Sequence, residues 1–133
     1  MRSLLLTALL VTSMWGCADT GWQVHRVDGI GYRYKLGSVD FERLQRKALS
    51  APSARADDIG AELRVAVPAR KRIYLFTKES HAAHPAVIVM HVSAEPITRA
   101  EGFAGGDMAG FEAWLKEVAR SRNQLFAAYG GGT

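Results

Sequence analysis

The sequence contains one cysteine, Cys17, among its 133 residues. Because no second cysteine is present, no internal disulfide can form, and a folded domain has to be stabilised by its hydrophobic core. Long hydrophobic runs are missing as well, since the apolar run at residues 4–11 is shorter than the roughly 20 residues of a membrane-spanning helix. Neither charge dominates, with 17 Lys and Arg against 13 Asp and Glu. This mild positive charge is typical of a solvated surface, or of one attracted to anionic lipid headgroups, lipopolysaccharide or cell-wall polymer.

Sequence motifs of common catalytic sites are missing too. The chain has no G-x-S-x-G, no H-E-x-x-H and no cysteine pair, which are spacings of hydrolases, zinc proteases and thiol redox enzymes. The glycine-rich stretch GFAGGD at 102–107 lacks the spacing and the lysine of a phosphate-binding loop. It is better explained as a flexible connection to a helix capped by Asp107. These absences favour a non-enzymatic protein.

The N-terminus has the features of an export signal. Arg2 supplies a positive charge before the apolar run, and a small residue directly precedes Cys17. This arrangement resembles the lipobox of bacterial lipoprotein precursors, in which the cysteine is lipidated and becomes the first mature residue. The chain departs from the lipobox at Met14, where Leu is usual, and at Trp15, where a small residue is usual. The alternative is a plain signal peptide cut after Ala18, because GCA is also a small-x-small site.

The lipoprotein resemblance implies a covalent lipid on Cys17, and we expect no other cofactor. Two or more acyl chains give stable membrane anchoring. Ala18 lacks the Asp that marks lipoproteins for inner-membrane retention, which favours the outer membrane, on its periplasmic side. The expected segments are a signal peptide at 1–16, a tether at 17–24, a single domain at 25–130 and a frayed glycine tail at 131–133.

Hydrophobic periodicity predicts the elements of the domain. Period-two patterns favour strands at 22–27, 30–36, 61–67, 72–77 and 85–92. Periods of 3.6 favour helices within 38–52 and 107–129, whereas residues 50–60 have the composition of a loop. The last predicted strand, PAVIVMHV, is apolar on both faces, so we expect it at the centre of the sheet.

These elements predict an α+β fold. The order β-α-β-β-β-α, with one further strand at the start, leaves two helices to cover one face of a mostly antiparallel sheet of four or five strands, which is a two-layer sandwich. The section α-β-β-β-α has the element order of the double-stranded-RNA-binding domain. Export argues against an RNA ligand, and we expect no nucleic-acid partner.

Three of the four histidines lie in FTKESHAAHPAVIVMHV, residues 76–92. His81 and His84 could share a metal ion if both lay on one helical turn. Pro85 disfavours helical geometry at His84, and His91 lies a strand's length away, about 20 Å from His84. The candidate binding loop therefore consists of Lys78, Glu79, His81 and His84. A metal site at His81 and His84 is the alternative.

A second candidate surface is the basic turn PARKR at 68–72. Arg70, Lys71 and Arg72 would lie at a hairpin tip, where they serve solubility or contact an anionic membrane surface. Each basic residue near the headgroups contributes about 1 kcal/mol to such a contact.

The segment YLFTKESHAAHPAV at 74–87 resembles a stretch in short, uncharacterised exported proteins of proteobacteria, and this resemblance implies no activity. The favoured function is a membrane-anchored envelope lipoprotein that acts as a non-enzymatic binding, inhibitor or assembly module for a protein or cell-wall partner. The alternative is a small metal-binding or metal-dependent envelope protein that uses His81 and His84.

Overall fold

One sheet runs through the part of the chain that the computed structural model describes, which is residues 22–36, 40–92, 97 and 99–130. Its strands are β1 Trp22–Val27, β2 Ile30–Leu36, β3 Arg55–Ile59, β4 Glu62–Val67, β5 Arg72–Thr77, β6 Ala86–His91 and β7 Arg99–Ala104. Their order across the sheet is β1-β2-β7-β6-β5-β4-β3. Residues 22–24 of the predicted tether thus belong to β1.

Neighbouring strands of this sheet are antiparallel, except that β2 and β7 are parallel. The α+β class and the mostly antiparallel pairing are confirmed, but the expected four or five strands are wrong, because the sheet has seven. β3 lies in the stretch with a loop-like composition, and all five of its side chains are exposed, so it shows no apolar alternation. The buried face of β7 carries only Ala100, Gly102 and Ala104, which are too small to produce a strand pattern.

The helices are α1 Phe41–Leu49, α2 Met108–Arg120 and the short α3 Arg122–Leu125, which continues into a π-helical turn, Phe126–Gly130. Carboxylates cap the two longer helices: Asp40 accepts a hydrogen bond from the Arg43 N–H at 3.0 Å, and Asp107 accepts one from the Gly110 N–H at 2.8 Å. The predicted cap at Asp107 is confirmed. The predicted continuous helix over 107–129 breaks at Ser121, whose hydroxyl donates to a carbonyl of the preceding turn at 3.0 Å.

The two longer helices cover opposite faces of the sheet. Along β6, Ile88 and Met90 belong to the apolar cluster under α2, whereas Val87 and Val89 belong to the cluster under α1. The predicted central position of β6 is confirmed, since it is fourth among the seven strands. A strand that is apolar on both faces needs cover on both. The two-layer prediction, with both helices on one face, is therefore wrong, and the fold has three layers.

The strand register gives the sheet two different ends. The first end, called the loop end below, is the row of paired residues Trp22, Lys35, Phe103, Val87, Phe76 and Leu63. Loop 78–85 and the start of α2 adjoin it. The second end, called the basic end below, is the row Arg26, Gly31, Arg99, His91, Arg72 and Val67. The turns at 28–29 and 68–71 adjoin the basic end.

Candidate functional site

The predicted binding loop, residues 78–85, packs against the start of α2. A Cβ atom on Gly106 would lie 2.4 Å from the carbonyl oxygen of His84, and one on Gly110 would lie 2.8 Å from the carbonyl oxygen of Ala82. These distances are shorter than real Cβ contacts, so only glycine lets the two backbones approach this closely. The stretch at 102–107 is therefore the end of β7 followed by a packing surface, and the prediction of a flexible connection is wrong.

His84 is fixed on the side of the sheet that α1 covers. Its ring lies edge-on to Phe41, with centroids 5.3 Å apart. Its Nδ1 is 2.8 Å from the hydroxyl oxygen of Thr77, a buried side chain that also accepts the Ala86 N–H at 2.9 Å. This hydrogen-bond chain joins the end of the loop to the first residue of β6, which is a structural role.

His81 is fixed on the opposite side, under α2. Its ring lies 4.9 Å from that of Trp114, and its Nδ1 accepts a hydrogen bond from the Ala83 N–H at 3.0 Å. His84 thus contacts Phe41 of α1, whereas His81 contacts Trp114 of α2, so the two rings pack against helices that cover opposite faces of the sheet. This arrangement does not favour a metal ion shared by the two rings. Within the described ranges, no group of three or more His, Cys, Asp and Glu side chains could hold a metal ion.

The remaining loop residues, Lys78 and Glu79, lie beside α1. The Lys78 ammonium is paired with Asp58 on the edge strand β3, at 2.5 Å, while Glu79 is exposed. A shallow depression of about 330 Å³ adjoins them, lined by Phe41, Glu42, Gln45, Thr77, Lys78, Glu79 and His84. Two carboxylates and one ammonium leave a formal charge of −1, so the depression does not favour an anion.

The predicted basic turn connects β4 to β5 at the basic end. Residues Pro68–Arg70 form one 3-10 turn, and Lys71 follows in the left-handed conformation with φ 54°. The Lys71 N–H donates to the Pro68 carbonyl at 3.0 Å, and its own carbonyl accepts the Val92 N–H at 3.0 Å. Arg72 begins β5, and its Nη1 donates to the carbonyls of Arg70 and Lys71, both at 3.1 Å. Hydrogen bonds within the turn, from Val92 and from Arg72 thus fix the backbone of the turn.

Register adds basic residues that the sequence pattern does not group with this turn. Arg72 on β5 pairs with His91 on β6, and His91 pairs with Arg99 on β7. Arg33 on β2 pairs with Glu101 on β7, and their side chains form an ion pair. Because β7 is not recognisable from its periodicity, Arg99 and Glu101 cannot be placed from sequence.

The charged groups beside the basic turn influence each other's ionisation. Burial lowers the pKa of His91 below its usual value of 6.5, Arg72 acts in the same direction, and Glu101 opposes both. His91 is therefore neutral at pH 7, and its Nε2–H donates to Glu101 at 3.4 Å. Burial raises the pKa of Glu101, but hydrogen bonds from Arg33 and His91 outweigh this and hold it below its usual value. The Glu101 carboxylate is thus already hydrogen-bonded to Arg33 and His91.

Between α1 and β5 lies a cleft of about 480 Å³, called the α1–β5 cleft below. It is lined by Leu44, Lys47, Arg70, Arg72 and Tyr74. Three of these side chains are cations and none is a carboxylate. Such a cleft favours an anion, because arginine and lysine donate charge-assisted hydrogen bonds to carboxylate or phosphate oxygens.

Cys17, the predicted signal peptide at 1–16 and the predicted tail at 131–133 lie outside the described residues. In the ranges that are described, no helix is both long and apolar enough to cross a membrane. A scan against protein-family models finds no match, and comparisons with curated proteins and with solved structures find none either.

Proposed function

We propose that this protein is an exported, lipid-anchored component of the cell envelope whose domain is a non-enzymatic binding module for an anionic partner. The observation that carries the proposal is the cluster of cations at the basic end, where Arg70, Arg72 and Arg99 lie together with Lys47 of α1. The anchor rests on the resemblance of residues 1–17 to a lipoprotein precursor. Compared with the basic end, loop 78–85 is the weaker candidate for the binding surface, because its histidines bond within the fold.

Trp22, the first residue of β1, and the basic turn lie at different ends of the sheet. Trp22 and Arg72 are separated by four residues along the strands and four strands across the sheet, a diagonal of about 23 Å. Cys17 precedes Trp22 by five residues, which reach at most about 18 Å when fully extended. The backbone of Cys17 therefore does not reach Arg72, and the domain can present its basic end to a partner away from the point of attachment.

Positive charge at one end of a small domain also affects the rate at which an anionic partner associates. A field of one sign attracts anions before contact and raises the rate of encounter. Exposed charges are screened over about 8 Å at physiological ionic strength, so binding at the basic end should weaken as salt rises. No observation within the described residues favours the metal-binding alternative at His81 and His84.

The anchor is tested by growing cells with radioactive palmitate. The wild-type chain should be labelled and recovered with the membranes, whereas Cys17→Ser should be unlabelled and recovered in the soluble fraction. Equal labelling of both, or labelling of neither, contradicts the anchor.

The binding surface is tested by the salt concentration that elutes the purified protein from carboxymethyl cellulose. Arg70→Gln with Lys71→Gln should elute at clearly lower salt than wild type. The matched control, Lys116→Gln with Arg120→Gln, removes two exposed charges of α2 and should elute close to wild type. Equal shifts for the two double variants would show that only net charge matters, and would contradict a binding surface at the basic end.

A further inference from the structure

Lys47, Arg70 and Arg72 bring three positive charges from three elements to one cleft. Lys47 comes from α1, Arg70 from the turn after β4 and Arg72 from β5. Like charges gathered in one place repel each other, and an anion bound between them relieves that repulsion. In the adjacent row, by contrast, Arg33 is paired with Glu101. Among the described residues, no carboxylate lines the α1–β5 cleft.

The guanidinium of Arg72 is oriented before any ligand arrives. Its Nη1 is occupied by the two carbonyls of Arg70 and Lys71. No group in the described ranges accepts a hydrogen bond from its Nε or Nη2. These two N–H groups form one edge of a planar fork, which suits two oxygens of the same anion. Such pre-organisation reduces the entropy lost on binding.

The size and charge of the cleft indicate the class of anion. Three cations match a phosphate monoester better than a carboxylate, because the monoester carries about −1.5 to −2 charges near neutrality and three acceptor oxygens. The volume of about 480 Å³ leaves room for more than the phosphate group. Leu44 and Tyr74 supply an apolar wall and an aromatic ring with a hydroxyl, against which the carbon body of an organic phosphate can pack.

We infer that the α1–β5 cleft binds the phosphate monoester group of an organic phosphate. Lys47, Arg70 and Arg72 contact the phosphate oxygens, and the carbon body lies against Leu44 and Tyr74. This inference rests on the proposed function, because it specifies the anion that the basic end binds. A membrane headgroup and a soluble sugar phosphate both carry this group, and the experiment distinguishes the two sources.

The test is isothermal titration calorimetry of the purified, processed protein with glucose 6-phosphate at low salt. We expect saturable binding at one site. Lys47→Gln should weaken binding about tenfold, as expected for one lost charge-assisted contact. The control Arg46→Gln removes the neighbouring exposed charge of α1, which does not line the cleft, and should change affinity less than about twofold by screening alone. Equal effects of the two variants, or no binding, overturn the inference.

Glucose 6-sulfate separates a phosphate site from a general anion site. It has a similar shape but a single charge, so it should bind several times more weakly than the phosphate. Equal affinities for the two sugars overturn the assignment to a phosphate monoester. If elution from carboxymethyl cellulose still depends on Arg70 and Lys71 in that case, the proposed function survives and this inference alone fails.

Vesicles identify the source of the phosphate. Phosphatidylcholine vesicles with phosphatidic acid carry a monoester, and those with an equal fraction of phosphatidylglycerol carry a diester. Preferential binding to phosphatidic acid that Lys47→Gln reduces supports a lipid headgroup. Binding of glucose 6-phosphate without such a preference supports a soluble source. If neither probe depends on Lys47, the inference is wrong.

Discussion

Replacing Gly106 by alanine should force loop 78–85 away from α2. Gly106 has a backbone conformation open to any residue, because its φ lies outside the left-handed range, so only space limits the substitution. Its Cβ would lie 2.4 Å from the His84 carbonyl oxygen, a backbone atom, whereas real Cβ contacts essentially never fall below 3.0 Å. The two backbones must therefore separate by at least about 0.6 Å.

The expected loss of stability follows from this displacement. Overpacking a close-packed site costs about 1–3 kcal/mol, and the upper end applies because no flexible side chain can move aside. The neighbouring hydrogen bond from the Gly105 N–H to the Pro85 carbonyl, at 2.9 Å, would lengthen and lose about 1 kcal/mol more. We expect Gly106→Ala to lower the free energy of unfolding by about 3–4 kcal/mol.

Gly110 provides a graded comparison. Its Cβ would meet the Ala82 carbonyl oxygen at 2.8 Å, a smaller overlap than at Gly106. Alanine also favours the helix by about 1 kcal/mol relative to glycine, which offsets part of the clash. We expect Gly110→Ala to destabilise the fold by only about 1 kcal/mol.

Urea unfolding followed by tryptophan fluorescence measures both effects. Gly60→Ala is the control for backbone strain without a clash, since Gly60 has φ 59° and no atom within 4 Å of a Cβ. It should cost about 1–2 kcal/mol. If Gly106→Ala is as stable as wild type while Gly60→Ala is destabilised, loop 78–85 does not pack on α2 and is a free loop that could bind a partner.

Four further predictions concern single interactions. Burial lowers the pKa of His91 in the folded chain, and unfolding restores it to its usual value of 6.5. As the pH falls from 8 to 5, the unfolded chain therefore takes up a proton at His91 first, and the free energy of unfolding should decrease below about pH 6.5. His91→Gln should reduce this decrease. The pKa of Glu101 is lowered in the folded chain, so its ionised carboxylate stabilises the fold down to a more acid pH. As that carboxylate is protonated, the free energy of unfolding should decrease a second time, and Glu101→Gln should abolish this second decrease. Trp114→Phe removes the Nε1–H donor to Glu62 at 2.9 Å and should lower the free energy of unfolding in urea by about 2 kcal/mol. Asp107→Ala removes the cap of α2 and should lower the free energy of unfolding by about 1 kcal/mol, measured by thermal melting. An unchanged melting temperature would show that the cap does not stabilise α2 in solution.

Elements with a full apolar pattern are predictable from the sequence. The alternation from Ile30 to Leu36 and the two-faced apolar run of β6 produce strands where expected. Residues Asp28 and Gly29 form the expected turn, both with positive φ. The missed strands lack such a pattern, because β3 is exposed along its length and β7 buries small residues. Their position depends on neighbours across the sheet.

The layer arrangement and the site were harder to predict because they depend on tertiary contacts. Both apolar faces of β6 are visible in the sequence, and they indicate cover on two sides, which the two-layer interpretation overlooks. The turn at 68–72 is visible as a run of charges, but its partners Lys47 and Tyr74 join it only when α1 docks on β5. Spacing of three residues between His81 and His84 suggests proximity, yet their rings meet different helices.

Photo-crosslinking in living cells tests most directly whether the basic end is the binding surface of an anchored envelope protein. A photoreactive residue replaces Ala69, which is exposed in the basic turn, or Ser80, which is exposed in loop 78–85. Neither substitution removes a charge. The proposed function predicts adducts with an envelope component from position 69, lost when Arg70 and Lys71 are changed to Gln, and few adducts from position 80. Adducts from position 80 alone would contradict it.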